Sequence, residues 1–194
     1  HAAANNNVLV FINTDTVLDK RVDTYSLSKR QFSEWLEKYS NDILTINVAL
    51  EHFYGPFDND SKFVTYVIRK MLGNEDSIDF TLGLQKRNFI YIEDVVDAFI
   101  VLLNNINKLD NSFHNFEAGT ESTVTIKDFV CLVKKLCNNN TTDLNFGAIN
   151  YRENEVMNTN TNTDKLKSLG WFPRFSLEDG LKNTIDLEKK LKIE

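Results

Sequence analysis

No glycine cluster occurs anywhere in these 194 residues. Only seven glycines are present, the first is Gly55, and none are spaced as G-x-G-x-x-G or G-x-x-G-x-x-G. The chain therefore carries no glycine-rich turn that would let a backbone approach a phosphate. Cysteine is scarcer still. Cys131 and Cys137 lie six apart in one helical segment, without metal-ligand spacing, which excludes a disulfide scaffold. Both thiols are expected to be reduced, in or near the core, as in a cytoplasmic protein. The three histidines, His1, His52 and His114, form no metal pattern, so no metal is expected. Positive charge is neither abundant nor clustered: 22 Lys and Arg against 28 Asp and Glu give a net charge of -6. That balance argues against nucleic acid or an anionic membrane as partner. The longest clean apolar run, residues 98–103, is far too short to span a bilayer, and no signal peptide is visible. The first residue is His1 rather than methionine, followed by Ala-Ala-Ala-Asn-Asn-Asn7. A truncated or internally deleted chain is expected.

What is present is ordinary for a globular protein: 42% hydrophobic and 26% charged residues, enough for one large or two small domains. Residues 8–12 form an apolar run of strand length that ends in the polar Asn13-Thr-Asp-Thr16. Tyr25 opens an amphipathic segment in which Leu27, Phe32, Trp35 and Leu36 recur at roughly helical spacing, and residues 44–50 form a second strand. Strand, helix and strand in that order make a βαβ unit, with ligands expected at the carboxyl end of the first strand. Tyr25 and Lys29, four apart, share one face of that helix. An ammonium held beside a phenol favours the phenolate, so such a tyrosine can exchange a proton with an alcohol or sugar oxygen. The Thr14 hydroxyl, on the preceding strand, could hold the same oxygen. That trio would be an oxidoreductase centre. A second Y-x-x-x-K pair, Tyr66 and Lys70, shares a helical stripe with Phe63, Val67 and Met71, and Tyr66 is expected in the core.

Further along, residues 51–60 read as a turn-rich boundary. Residues 61–72 read as a helix capped by Ser61 and stopped by Gly73. Strands are expected over 78–82, 86–92 and 112–118. Helices are expected over 94–104, from the Thr125 cap to Cys137, and over 176–191 with Glu178 and Asp179 in the first turn. The alternating Asn and Thr of 158–163 read as solvated or extended backbone. There are no internal repeats.

An ordered series of segments resembles the extended short-chain dehydrogenase/reductases that act on nucleotide sugars, the NAD-dependent epimerase/dehydratase family. Tyr25-x-x-x-Lys29 is similar to its catalytic pair, and Glu51-His-Phe-Tyr-Gly-Pro56 to R-x-F-N-x-Y-G-P. Gln85-Lys-Arg-Asn-Phe-Ile-Tyr-Ile-Glu-Asp-Val95 is similar to Q-x-R-D-F-I-Y-V-x-D-V, and Phe113-x-Asn-Phe-Glu-Ala-Gly119 to Y-N-I-G-S-G. Arg152-Glu-Asn-Glu155, then Asp164 and Leu169-Gly-Trp-x-Pro173, are similar to the R-x-G-D … D … L-G-W-x-P ending. Within the family, Asn13-Thr-Asp15 and Phe146-Gly-Ala-Ile-x-x-Arg-x-Asn-Glu155 are most similar to 4-ketoreductases of CDP-3,6-dideoxy sugars.

The resemblance implies an α/β fold: the C-terminal part of a Rossmann-like, doubly wound parallel sheet plus a smaller α/β substrate-binding domain. Residues 1–55 would be the remnant of the NAD(P)-binding part. Residues 56–194 would mainly bind nucleotide sugar, with 88–118 returning to the Rossmann part. Thr14, Tyr25 and Lys29 would be catalytic, with Tyr25 and Lys29 also meeting NAD or NADP at its nicotinamide ribose. Thr14, His52, Arg87 and Arg152 would bind substrate, the two arginines at its pyrophosphate. A CDP-sugar is the implied substrate, and a cytoplasmic homodimer serving surface-polysaccharide sugar synthesis the implied setting. The departures are specific. Glu51 and His52 replace the family's Phe and substrate-binding Asn, Ala49 replaces Arg, Asn88 replaces Asp, and the first four strands with their glycine loop are lacking. The spacing from Thr14 to Tyr25 is also shorter than usual. Ile12-Asn-Thr-Asp-Thr-Val17 is similar to the I-S-T-D-E-V of nucleotide-sugar 4,6-dehydratases, with Thr16 in place of their basic Glu. A 4-ketoreductase is therefore expected; an epimerase of the same family, or a fragment that only binds nucleotide sugar, are the alternatives.

Overall fold

The computed structural model describes Ala3 and residues 8–191; apart from Ala3, the opening His1 to Asn7 segment lies outside the described residues. In chain order the elements are β1 (Val10–Thr16), α1 (Thr24–Tyr39), β2 (Leu44–Leu50), β3 (His52–Tyr54), α2 (Phe63–Gly73), β4 (Ser77–Phe80), β5 (Lys86–Arg87) and β6 (Phe89–Tyr91). There follow α3 (Ile92–Asn104), β7 (Phe113–Ala118), β8 (Val124–Thr125), α4 (Ile126–Leu136), β9 (Asp143–Phe146), α5 (Asp164–Ser168) and α6 (Leu177–Leu191). The fold is α/β with parallel strand pairing, as the resemblance implied. The chain divides into two units: one of residues up to Glu51, Asp94–Glu121 and Thr161–Pro173, the other of His52–Glu93, Ser122–Asn160 and residues from Arg174 on.

The first unit is built on a parallel sheet in the order β1-β2-β7, with α1 as the crossover between β1 and β2. All seven residues of β2 are buried, as a central strand of a parallel sheet should be. One of them is Asn47, whose amide lies in register with Asn13 and Asn115 on the flanking strands. The three amides form a ladder: Asn13 donates to Asn47 at 2.7 Å, and Asn47 donates to Asn115 at 2.7 Å and to the Asp15 carboxylate at 2.9 Å. This is why β1 extends to Thr16 instead of stopping at residue 12. The polar residues after the apolar run have partners across the sheet, so they continue the strand.

Helix α1 starts at an unexpected cap, Asp23, whose carboxylate accepts from the Ser26 N–H at 2.7 Å. Its apolar residues are not its inner face. Tyr25, Leu27, Phe32 and Trp35 are exposed, whereas Ser26 and Ser33 are buried. Small side chains let the helix lie close to the sheet, so the buried residues of α1 are two serines, two turns apart, rather than an apolar stripe.

The second unit holds a core of Tyr54, Val67, Ile68, Met71, Phe89, Phe129, Val133 and Ile185, with Phe89 stacked on Phe129 at 4.1 Å. Helix α4 begins at the expected cap, Thr125, which accepts from the Asp128 N–H at 3.0 Å. Helix α2 begins at Phe63, without a side-chain cap, and ends on Asn74 in the left-handed region (φ 52°) while Gly73 is its last helical residue. Asparagine tolerates that conformation better than any residue but glycine. Residues 86–92 split between β5, antiparallel to β8, and β6, parallel to β3 inside the expected boundary turn. The 158–163 stretch keeps Asn158, Asn160 and Asn162 exposed, while Asn158 forms a β-bridge to Lys86 and Thr163 is buried. Cys137 is half-buried and packs against this core, near it as expected, whereas Cys131 is exposed. Among the described residues no helix is long and apolar enough to cross a membrane, and no cluster could hold a metal ion.

Candidate active site

Each proposed site residue lies in one unit or the other, and each group is coherent within its own unit. In the first, the Lys29 ammonium donates to the Thr14 carbonyl oxygen at 2.8 Å and lies 5.9 Å from the centroid of the Tyr25 ring. Thr14 and Tyr25 are both exposed, and Tyr25 retains 55% of its accessible surface. The ammonium is thus tied to the strand by one hydrogen bond across 15 residues, and the tyrosine ring stands beside it on the same helix. A lysine carries three N–H donors, and Thr14 takes one.

The decoy pair shows why that bond matters. Lys70 also stands 5.9 Å from the centroid of its tyrosine, Tyr66, so helical spacing produces the same local geometry twice. Lys70, however, donates to Glu75 at 3.0 Å rather than to a strand carbonyl. Tyr66 is not in the core as expected; it keeps 39% of its surface, because on α2 it faces a cleft while Val67 and Met71 face inward.

That cleft, about 490 Å³, lies within the second unit and falls in the usual size range for small-molecule sites. His52, Arg87 and Arg152 all line it, together with Phe63, Tyr66, Asp79, Phe80, Gln85, Asn150 and Glu155. Arg87 is buried and already engaged. Its Nη1 donates to the carbonyls of Lys86 at 2.8 Å and Val156 at 2.5 Å, and its Nη2 donates to Glu155. Two of its five N–H groups, Nε–H and the second Nη2–H, are not used in these contacts. Arg152 is exposed. His52 sits edge-on to Phe89, ring centroids 5.6 Å apart. Glu51, beside it, is buried and accepts from the Thr161 hydroxyl at 2.9 Å, which anchors that turn within the first unit.

A separate cavity of about 340 Å³ opens at the carboxyl ends of β1, β2 and β7, lined by Asp15, Thr16, Ser26, Ala49, Asn115 and Glu117 among others. Asp15, Ala49 and Glu117 share one register line across the sheet. Thr14 points to the opposite face, as alternation requires. Asp19 at its rim is bonded to the Arg21 guanidinium at 2.7 Å, which holds the carboxyl down to about 2. The Thr16 hydroxyl accepts from the Leu18 N–H at 3.2 Å and starts a turn.

Sequence reasoning did not single out Asp79 or Tyr66 for the cleft, or the Asn13–Asn47–Asn115 ladder. Tyr66 could have been found from its one-residue offset against Val67 on the helix. Asp79 could have been found from the alternation of β4, in which Ser77 and Asp79 face out and Ile78 and Phe80 face in.

The first unit thus sets Thr14, near the end of β1, beside a helix that carries Tyr25 and Lys29. The chain superimposes on UDP-glucose 4-epimerase from Thermotoga maritima, solved with UDP-glucose, with a TM-score of 0.85 at 22% identity, covering 99% of this chain and 67% of that one. It superimposes equally on MoeE5 in complex with UDP-glucuronic acid and NAD, TM-score 0.85 at 19% identity, covering 98% of this chain and 68% of that one. Those likenesses establish the fold. Residues 8–119 match the model of the NAD dependent epimerase/dehydratase family, and the chain belongs to that family. Among curated proteins it is 36% identical to CDP-abequose synthase of Salmonella muenchen over 92% of its own length, and spans 63% of that relative.

Proposed function

We propose that these residues serve an NAD(P)-dependent 4-ketoreductase of a CDP-3,6-dideoxyhexose type substrate. The observation that carries the reading is the Lys29 bond to the Thr14 carbonyl, which ties the Y-x-x-x-K pair to a strand end and is missing from the Tyr66–Lys70 pair. The similarity to CDP-abequose synthase supports the nucleotide and sugar class.

The residues fit the nicotinamide-ribose end of a dinucleotide: Lys29 has two donors beyond its bond to Thr14, and Tyr25 stands exposed beside it. Nothing in these 194 residues is a glycine-rich turn for the pyrophosphate end. When bound, the dinucleotide supplies hydride. The protein's part is proton management and positioning. The Thr14 hydroxyl holds the C4 oxygen of the sugar, and the Tyr25 phenol gives that oxygen its proton. Lys29 stabilises the phenolate left behind, and solvent reprotonates it. Within the second unit, Arg152 and the remaining donors of Arg87 offer hydrogen bonds to a pyrophosphate in the cleft, and His52 offers one to a sugar hydroxyl.

A 4,6-dehydratase would need a base where Thr16 stands, and an alcohol has no accessible ionisation near neutral pH. The test uses these residues joined to a glycine-rich cofactor-binding turn. Given a 4-keto CDP-sugar and NAD(P)H, it should reduce the ketone. Given a CDP- or dTDP-hexose with an intact C6 hydroxyl, it should form no 4-keto-6-deoxy product. Robust elimination with Thr16 in place would refute the reading.

A further inference from the structure

The cleft that carries His52, Arg87 and Arg152 has one feature that phosphate binding does not require: a carboxylate with no cation on it. Of the two acidic residues lining the cleft, Glu155 is neutralised by Arg87. Asp79 forms no ion pair among the described residues. Its one hydrogen bond is from the Asn145 amide to Oδ1, at 2.8 Å. Asp79 and Asn145 face each other across the parallel β4–β9 pair, so the amide fixes the carboxylate's orientation and leaves Oδ2 as an acceptor. An uncompensated negative charge beside a diphosphate site weakens anion binding unless the ligand brings a donor to it. A nucleoside diphosphate offers two kinds of donor, the ribose hydroxyls and an exocyclic amino group on the base. Tyr66, Phe63, Phe80 and Ile149 line the same cleft and supply the flat apolar surface that a base needs.

We propose that Asp79 is the base-reading residue of this cleft, accepting an exocyclic N4–H of cytosine, so that the site takes cytidine over uridine nucleotides. Uracil presents a carbonyl where cytosine presents the amino group, and a carbonyl oxygen facing a carboxylate leaves two acceptors opposed with no proton between them. The inference rests on the reading of the cleft as a nucleotide-sugar site, and it adds a specificity residue that the series of family-like segments does not include.

The experiment is calorimetric titration of the 194-residue chain with CDP and with UDP, for the wild type, Asp79→Asn and Arg152→Ala. The wild type should bind CDP about tenfold more tightly than UDP, a modest margin because Asp79 is exposed and one matched contact there is set against one opposed contact. Asp79→Asn keeps the bond to Asn145 within reach and should bring the CDP:UDP ratio to about one. Arg152→Ala should weaken both nucleotides alike and keep the ratio. Asn145→Ala, which frees the carboxylate to rotate, should reduce the ratio in part. An unchanged ratio in Asp79→Asn would overturn the assignment. Equal weakening of CDP and UDP by that variant would assign Asp79 to the ribose instead, and so overturn it too. If the wild type bound neither nucleotide, the nucleotide reading itself would fall, and the base-reading role with it.

Discussion

At the scale of single residues, two tyrosine–lysine pairs with the same 5.9 Å separation are predicted to behave differently. In the cofactor-competent form, Tyr25→Phe should lower turnover by roughly 10²–10⁴-fold, the usual share of general acid–base catalysis, with substrate affinity nearly intact. Tyr66→Phe keeps the ring that lines the cleft and should leave turnover within a few-fold. Steady-state kinetics on both variants decide the matter: equal losses would mean that Tyr25 has no special role. Arg87→Ala and Arg152→Ala should raise the dissociation constant for the nucleoside diphosphate more than they lower turnover, because a pyrophosphate contact is common to ground and transition states. Arg87→Ala carries a second cost, since it leaves Glu155 without its cation. The Tyr25–Lys29 pair was legible in the sequence because helical spacing and the preceding strand are local. Asp79 was not, because its meaning depends on β9, 66 residues later.

At the scale of elements, α6 is tied to α2 by a buried carboxylate. Glu188, 3% exposed, accepts from Arg69 Nε at 2.7 Å and from the Phe57 N–H at 3.0 Å. The two partners are not equivalent. Arg69 keeps 32% of its side-chain surface and also meets Asp60, so it can return to water when Glu188 is changed. Glu188 has no such outlet. Arg69→Met should therefore destabilise this unit by about 3 kcal/mol, because it leaves a charge buried without its cation. Glu188→Gln should cost only about 1–2 kcal/mol. Urea unfolding followed by circular dichroism would give both values, and the reverse order would show that the burial of Glu188 is not what matters. Strand β2 and helix α4 could be read directly, one from a seven-residue run and the other from its threonine cap. Strands β3, β5 and β6 could not. Each is two or three residues long and is stabilised by a partner far away in the chain, so no local period marks it. The inner face of α1 was misread for a different reason: serine, not leucine, allows the helix to approach the sheet, and hydrophobic periodicity is blind to small polar residues.

At the scale of the whole chain, the substrate-side and cofactor-side requirements separate. The 194 residues contain a cleft with two arginines but no glycine-rich turn. This polypeptide should bind CDP measurably and NAD or NADP only weakly, since dinucleotide affinity depends on close backbone approach to the pyrophosphate. Titration of one sample with each ligand checks this, and tight binding of NAD(P) would show that the pyrophosphate is held some other way. The ladder of Asn13, Asn47 and Asn115 also bears on how the chain finds its fold. Side chains in a strand alternate between faces, so sliding any one of these strands by a single residue turns its amide to the wrong side. The central amide would then be buried with part of its bonding lost, or all of it if β2 itself slides, a penalty of about 1–3 kcal/mol for each group left unpaired. Because β7 lies more than sixty residues beyond β2, the ladder closes only when a distant segment docks in the correct alignment. The three amides thus act as a proofreading device for assembly, rejecting near-miss pairings that apolar side chains alone would tolerate.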